Sequence, residues 1–396
     1  MDFLTSPDFW FLTGTSLAKT LFLIFLVVLP MVSYTVYAER RVSALIQDRL
    51  GPNRTGFPLS LIPGVKNDWS PILGGLGQPV ADAVKFLLKE DFVPAHVNKF
   101  YFWIAPALSM MPALVTLAAI PFGSTFLGVP MVVANINVGL LFMFAISSVS
   151  VYGIVIAGWS SNSKYPFLGG IRSSSQMISY ELGMGLSAVP VLLIAGSTSL
   201  PQIVEFQIHN GWMLFPFTNP HFHFSQIVLW IPMCIAFVTF TISMFAETNR
   251  LPFDLPESET ELVAGYHTEY SSMKFALFFL GEYTAMIAGS ALIVVLFLGG
   301  YHFPGIPNGN GEGGFIPYPH FADGTFWHAV VNAVWGVINI TVFFAKVAVL
   351  LFVFIWIRWT LPRFRFDQLM KLGWLYLFEI ALVNIFLTAG ILAFTH

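Results

Sequence analysis

Eight stretches of about twenty apolar residues each decide what this sequence can fold into. They are Leu21–Ala38, Phe100–Pro121, Val138–Gly158, Gln176–Ala195, Ile227–Ala246, Phe275–Leu298, Trp335–Ile357 and Leu372–Ala393. About 20 apolar residues is the length a helix needs to cross the hydrocarbon of a bilayer. None of the eight shows the strict apolar/polar alternation of a barrel strand. The pattern therefore predicts an all-α fold, a polytopic membrane bundle of eight transmembrane helices in a single membrane domain, 1–396. Composition closes the alternatives. The chain is 56% hydrophobic and spends 18 basic and 21 acidic residues over 396 positions. That is too little charge to cover a soluble surface of this size, which excludes a soluble enzyme, a disordered chain and a nucleic-acid binder. A single cysteine, Cys234, excludes a disulfide framework, an iron–sulfur cluster and a thiolate zinc site. The first span is too long for a signal-peptide core, and Asp2 and Asp8 flank it where a basic run would stand, so it reads as a true helix.

Lys and Arg set the expected orientation. Sixteen of the 18 lie in the 1–2, 3–4, 5–6 and 7–8 connections, and none lies in the 2–3, 4–5 and 6–7 connections. The odd connections are expected in the cytoplasm and both termini on the outer, periplasmic side. The outer connection 299–334 contains Gly305–Gly314, rich in glycine but without a basic residue or a preceding strand. It reads as a flexible loop rather than a phosphate site. His221 and His223 read as surface histidines, and no metal site is expected.

The cytoplasmic connection 39–99 contains an amphipathic helix, Pro79–Lys89, with Val80, Val84, Leu87 and Leu88 at helical spacing. It is either an interfacial strut or the wall of a cavity or docking surface. The cytoplasmic loop 247–274 is acidic where the positive-inside rule asks for bases: Glu247, Asp254, Glu257, Glu259, Glu261 and Glu269 against Arg250 and Lys274. Pro256 is expected to open a short helix with Glu257 and Glu259 in its first turn. Acids there complement the helix dipole, which accounts for two of the six. Glu257 and Glu261, four apart, are expected to share a face, repel, and raise each other's pKa. The other reading of the row is that it holds and passes protons.

Glu181, Glu282, Glu379 and Lys346 fall within spans. Each costs about 2.5–3.5 kcal/mol at mid-bilayer on insertion scales, so each is expected against a partner or a water-filled path. Lys346 paired with one of the glutamates is one such arrangement. Glu181, with Gly185 and Ala188 on its face, suits tight helix packing. No Walker loop, dinucleotide fingerprint, bis-histidine haem pattern or cysteine cluster is present, so no redox cofactor of its own is expected.

Five segments resemble a known family: Glu39–Gly56, Gly77–Glu90, Ile171–Met184, Ala246–Tyr283 and Phe354–Trp374. The family is the H subunit of the proton-pumping NADH:quinone oxidoreductase, respiratory complex I, whose mitochondrial counterpart is subunit 1. The resemblance implies a subunit of a proton-translocating enzyme in the bacterial inner membrane. Its partners would be the peripheral-arm quinone-site subunits, neighbouring small membrane subunits, the lipid bilayer, and ubiquinone or menaquinone as substrate. It would bind no cofactor, the electrons arriving from an iron–sulfur cluster in a neighbouring subunit. By motif, Arg40, Arg49, Arg250, Phe253, Asp254 and Phe275 would line the quinone chamber. Glu181, Glu247, Glu257, Glu259, Glu261, Glu269 and Glu282 would form the proton relay. An equivalent subunit of a membrane-bound hydrogenase or of a dehydrogenase that does not use NADH is the nearest alternative. A secondary transporter would show internal repeats with broken helices, and none is visible. One departure is local: the family's last span often begins Gly-Trp-Lys with a proline soon after. Here Gly373 and Trp374 are followed by Leu375, and Glu379 stands about where the proline is expected. The resemblance gives Glu379 no role, and connection 299–334 is long for the family.

Overall fold

The computed structural model describes residues 7–56, 75–218, 224–307 and 326–395. His221, His223 and the part of Gly305–Gly314 beyond position 307 lie outside the described residues.

Eight helices among the described residues are long and apolar enough to cross a membrane, as the sequence predicts. Within lipid, a helix is the one open-chain structure that satisfies its own backbone. Span 1 joins α1 (Pro7–Leu21), a π-helical stretch Phe22–Val28, and α2 (Leu29–Ile46). The amphipathic α3 (Gln78–Leu88) follows, then span 2, α4 (Lys99–Thr116). A minimal hairpin of β1 (Thr125–Phe126) and β2 (Val129–Pro130) precedes span 3, α5 (Gly139–Ser160), and span 4, α6 (Lys164–Ala195). A short α7 (Leu200–Asn210) leads to span 5, α8 (Phe224–Glu247). Beyond a single-turn α9 (Glu259–Leu262) come span 6, α10 (Ser272–Phe297), and span 7, α11 (Phe326–Thr360). Span 8 joins α12 (Phe366–Lys371), a second π-helical stretch Leu372–Leu377, and α13 (Phe378–Thr395).

α10 is the axis of the bundle. Its sequence is apolar on every side, as a helix must be when nothing but protein surrounds it. Its most apolar window is 83% buried, against 50% or less for every other span. Spans 1, 7 and 8 are peripheral and turn much of their apolar surface outward.

α6 begins twelve residues before the expected Gln176. At about 1.5 Å per residue its 32 residues reach roughly 48 Å, well beyond a hydrocarbon layer of about 30 Å. Hydropathy cannot see this extension because it is serine-rich. The hydroxyls of Ser174, Ser175 and Ser179 bond back to carbonyls of their own helix, which hides their polarity. The extension packs backbone to backbone on the 248–271 segment. A Cβ on Gly169 would stand 2.9 Å from the Pro256 carbonyl oxygen, and one on Gly265, at φ +59°, only 1.7 Å from it.

Two expectations fail here. Pro256 lies in a turn, and the short helix starts at Glu259. A tight turn of the chain into the protein, bounded by Pro252 and Pro256, takes the place of the expected first helical turn. Among the described residues Lys346 pairs with no glutamate. Its ammonium donates to the carbonyls of Leu298, Gly300 and His302 at 2.7, 2.9 and 2.6 Å and lies 4.2 Å from the centre of the Trp212 ring. It caps the end of α10, where carbonyls have no helical partner.

α3 turns Val80, Val84, Leu87 and Leu88 outward. It is fastened by its polar side and its C-terminal end: Asp82 accepts from Arg40 and Gln78, and Ser272 donates to the carbonyls of Phe86 and Lys89.

Candidate functional site

The ends of α2, α6, α8, α10 and α11 converge with the 248–271 segment at one end of the bundle. Gln176, fully buried on α6, holds that segment in place. Its amide nitrogen donates to the carbonyls of Ala246 and Phe253, each at 2.7 Å, and lies 3.2 Å from Asn249 Oδ1. Phe253 in turn stacks on Phe364, ring centres 5.4 Å apart.

This framework folds the acidic segment inward. Arg250 is buried beside Glu282 of α10, with Nη2 and Oε2 2.9 Å apart. Neither atom makes a well-aligned hydrogen bond, so the contact is ionic. The Tyr266 hydroxyl donates to the other Glu282 oxygen at 2.9 Å. The guanidinium lies 4.4 Å from the centre of the Tyr283 ring, whose hydroxyl donates to Glu39 at 2.6 Å. Glu39, at the end of α2, also accepts from Arg358 of α11. Glu257 adjoins Glu282, and its carboxyl lies 3.9 Å from His267 Nδ1. Asp254 accepts from Arg363 at 3.0 Å.

Electrostatics follow burial. Burial pushes the Asp254 carboxyl up to about 6 even with Arg363 beside it. Burial, and then the neighbouring Asp254 charge, raise Glu257. Burial raises the Tyr266 phenol, and Glu282 raises it further. Burial opposes the charge on Arg250, but Glu282 and the other nearby acids outweigh it, so the guanidinium stays charged. The site thus sets a buried guanidinium that stays charged beside carboxyls whose hold on a proton is strengthened by burial.

Behind Glu282, between α4, α5, α6, α8 and α10, lies a cavity of ≈ 70 Å³ lined by Ser147, Glu247, Thr248, Asn249, Glu282 and four methionines, Met143, Met177, Met184 and Met244. Its wall is mostly apolar, with Glu247, Glu282 and a few hydroxyls as polar points, and it has room for a short string of waters. At its far side Ser147 is in hydrogen-bonding range of Glu247, and the next residue, Ser148, donates to Glu181. Two acids on different helices thus meet consecutive hydroxyls of α5. Among the described residues no group of His, Cys, Asp and Glu could hold a metal ion.

The NADH dehydrogenase family matches residues 18–389. The chain is 46% identical over 374 residues to an H subunit of the NADH-quinone oxidoreductase of Geobacter metallireducens, covering 93% of this chain and 94% of that protein. It is 46% identical to the H subunit of the Salinibacter ruber enzyme, over 94% and 95% of the two chains. Against the H subunit of the Rickettsia typhi enzyme it is 47% identical over 92% and 90%. The chain belongs to the family of NADH-quinone oxidoreductase H subunits.

Of the relay residues expected for an H subunit, the structure brings together Glu181, Glu247, Glu257 and Glu282. It places Glu261 and Glu269 apart from them. Glu261 is exposed and pairs with Arg172 at 2.6 Å, so it shares no face with Glu257, which precedes α9 and turns inward. The expected mutual repulsion of Glu257 and Glu261 does not arise; Asp254 and Glu282 are Glu257's acidic neighbours. Glu269 is half-buried outside the cluster, and Glu259 opens α9. On the face of Glu181, Ala188 is fully buried, while a Cβ on Gly185 would meet nothing within 4 Å.

Of the chamber residues, Arg250, Phe253 and Asp254 lie in the cluster. Phe275 borders it, its ring 5.1 Å from that of His267. Arg40 and Arg49 lie outside it, Arg40 paired with Asp82 and Arg49 with Gln47. Glu39, Gln176, Tyr266, His267, Tyr283, Arg358 and Arg363 belong to the site and were missed. Arg358 and Arg363 carried only orientation in the sequence, and Glu39 stands beside the arginines that drew attention in the same segment.

Proposed function

We propose that this chain forms the quinone-access chamber and the first stretch of the proton path in a proton-translocating NADH:quinone oxidoreductase. In this reading the acidic end of the bundle faces the cytoplasm and the peripheral-arm subunits that deliver electrons. Both termini face the periplasm, in a bacterial inner membrane. The observation that carries the reading is the Arg250–Glu282 pair. It lies between the inward-folded acidic segment on one side and the cavity that Glu282 and Glu247 both line on the other, so a charge change on either side is felt on the other.

Reducing a quinone to a quinol takes two electrons and two protons. Protons leaving the Asp254, Glu257 and His267 neighbourhood make it more negative. Arg250 is then drawn from Glu282 towards the new charge, and Glu282 gains affinity for a proton. Waters in the cavity carry that exchange to Glu247, and the adjacent hydroxyls of Ser147 and Ser148 connect Glu247 with Glu181. No side chain of this chain is oxidised or reduced in these steps. The basic-residue distribution supports the orientation.

The test is Arg250→Ala and Glu282→Gln in the assembled complex. Electron transfer from NADH to a hydrophilic artificial acceptor is expected to stay intact, while quinone reduction and proton pumping fall together at least tenfold. Normal quinone kinetics in assembled Arg250→Ala would remove the pair from the path.

A further inference from the structure

Glu379 is the only charged side chain between Lys371 and the end of the described chain. An acid within a span is expected to face the bundle interior, a partner or a water path. Glu379 does not face the interior: it is exposed. The opposite face of α13 carries the packing, with Leu377, Ala381, Asn384 and Thr388 buried and Asn384 donating to the Pro232 carbonyl at 2.9 Å. On the outward side Glu379 continues a strip of Leu375, Tyr376, Leu382, Val383 and Phe386, between 38% and 71% exposed. Such a strip alone suits lipid. The carboxyl in its middle does not. Trp374 and Tyr376 mark the level where aromatic side chains meet headgroups, and Glu379 lies about one turn further in. Its side chain is shorter than the roughly 5.4 Å of that turn. No residue among those described pairs with it.

We infer that this strip is covered, in the assembled enzyme, by a membrane helix of another subunit, and that this helix brings a lysine, arginine or histidine to Glu379. The inference rests on the family placement, which makes this chain one subunit of several, and not on the proposed proton path.

The experiment uses the whole complex with a photo-crosslinking amino acid at Val383. It is expected to form an adduct with a different subunit, at a mapped apolar segment containing a basic residue. Glu379→Arg is expected to lower retention of that subunit about tenfold on a native gel, and exchanging its mapped basic residue for Glu is expected to restore it. If Glu379→Arg fails to insert, Glu379→Leu carries the test, because it enters a membrane more easily than the native chain; a lower content of the same subunit is expected. Adducts with lipid only, adducts with a second copy of this chain, or full assembly of Glu379→Leu overturn the inference. Quinone reductase rates measured alongside separate this outcome from failure of the proton path.

Discussion

Asp254 shows how much a single position at this site depends on being folded away. Its carboxyl sits in protein, and burial raises it to about 6 although Arg363 is 3.0 Å away. Above that pH it is ionised and paired; below it, it is protonated and the pair is lost. The folded chain therefore binds more protons here than the unfolded one between the ordinary carboxylate range near about 4 and about 6, so stability falls as pH rises through that window and is level above it. In the assembled complex the quinone reductase rate is expected to show an acid limb near pH 6, which Asp254→Asn removes. A limb unchanged in the variant, measured between pH 5 and 8, assigns it to another group. Gln176 makes a different kind of prediction. Gln176→Leu leaves the Phe253 carbonyl and the Asn249 amide oxygen without that donor, at about 1–3 kcal/mol for each buried orphan, while the Ala246 carbonyl keeps the Asn249 N–H. The expected result is a several-fold loss of assembled complex at growth temperature, seen on a native gel, with the 248–271 segment becoming susceptible to protease. The sequence marked Asp254 as one of an acidic row but not its burial beside Arg363, and it gave no sign of the role of Gln176. Gln176 was the edge of an apolar run, and its acceptors are main-chain atoms some seventy residues away.

At the scale of the element, the spans were legible because lipid imposes one rule along twenty residues at a time. The arrangement of Glu257 and Glu261 was not, because a four-residue spacing means a shared face only if a helix runs through both. Two prolines and the close approach of Gly265 to Pro256 put a turn there instead. Gly265→Ala is expected to break that turn, since both its φ of +59° and the 1.7 Å approach exclude a Cβ. The same contact logic reaches the cavity. A Cβ on Gly289 would fall 2.0 Å from the end of Met244. Gly289→Ala keeps the helix, and indeed favours it, but pushes Met244 into the space between Glu247 and Glu282. Assembly is expected to stay normal while coupled turnover falls about three- to tenfold. A double variant with Met244→Ala should recover it, because truncating the thioether reopens the space. Unchanged turnover in Gly289→Ala would show that Met244 has somewhere else to go.

On the scale of the whole molecule, the apolar runs foretold the number of spans, and the resemblance pointed to Arg250, Phe253 and Asp254, which the fold brings together. What joins the segments was hidden by separation along the chain. Glu39 and Arg358 are 319 residues apart, and Lys346 ends on carbonyls that any sequence would supply. The four basic connections gather at one end of the bundle, as an alternating topology requires. Cysteines at Leu127, exposed in the β1–β2 turn, and at Arg365, exposed before α12, test which side is which. In a Cys234→Ala background an impermeant thiol reagent should label Leu127→Cys from the periplasm and Arg365→Cys only after the membrane is opened. The reverse pattern would invert the orientation, and labelling of both from one side would contradict the span count.

The methionines around the cavity have a consequence in time rather than in space. Met143, Met177, Met184 and Met244 are unbranched, with three rotatable bonds each, and they re-pack readily around an irregular void. Walls of leucine or valine would give that void one shape. Thioether walls give it several, some with room for a continuous file of water and some without. On the proposed proton path, the route from Glu282 to Glu247 would then be an intermittent connection, open for a fraction of each interval set by side-chain rotation. An interrupted wire passes protons no faster than its walls rearrange, so thioether rotation would join proton affinity in setting the rate.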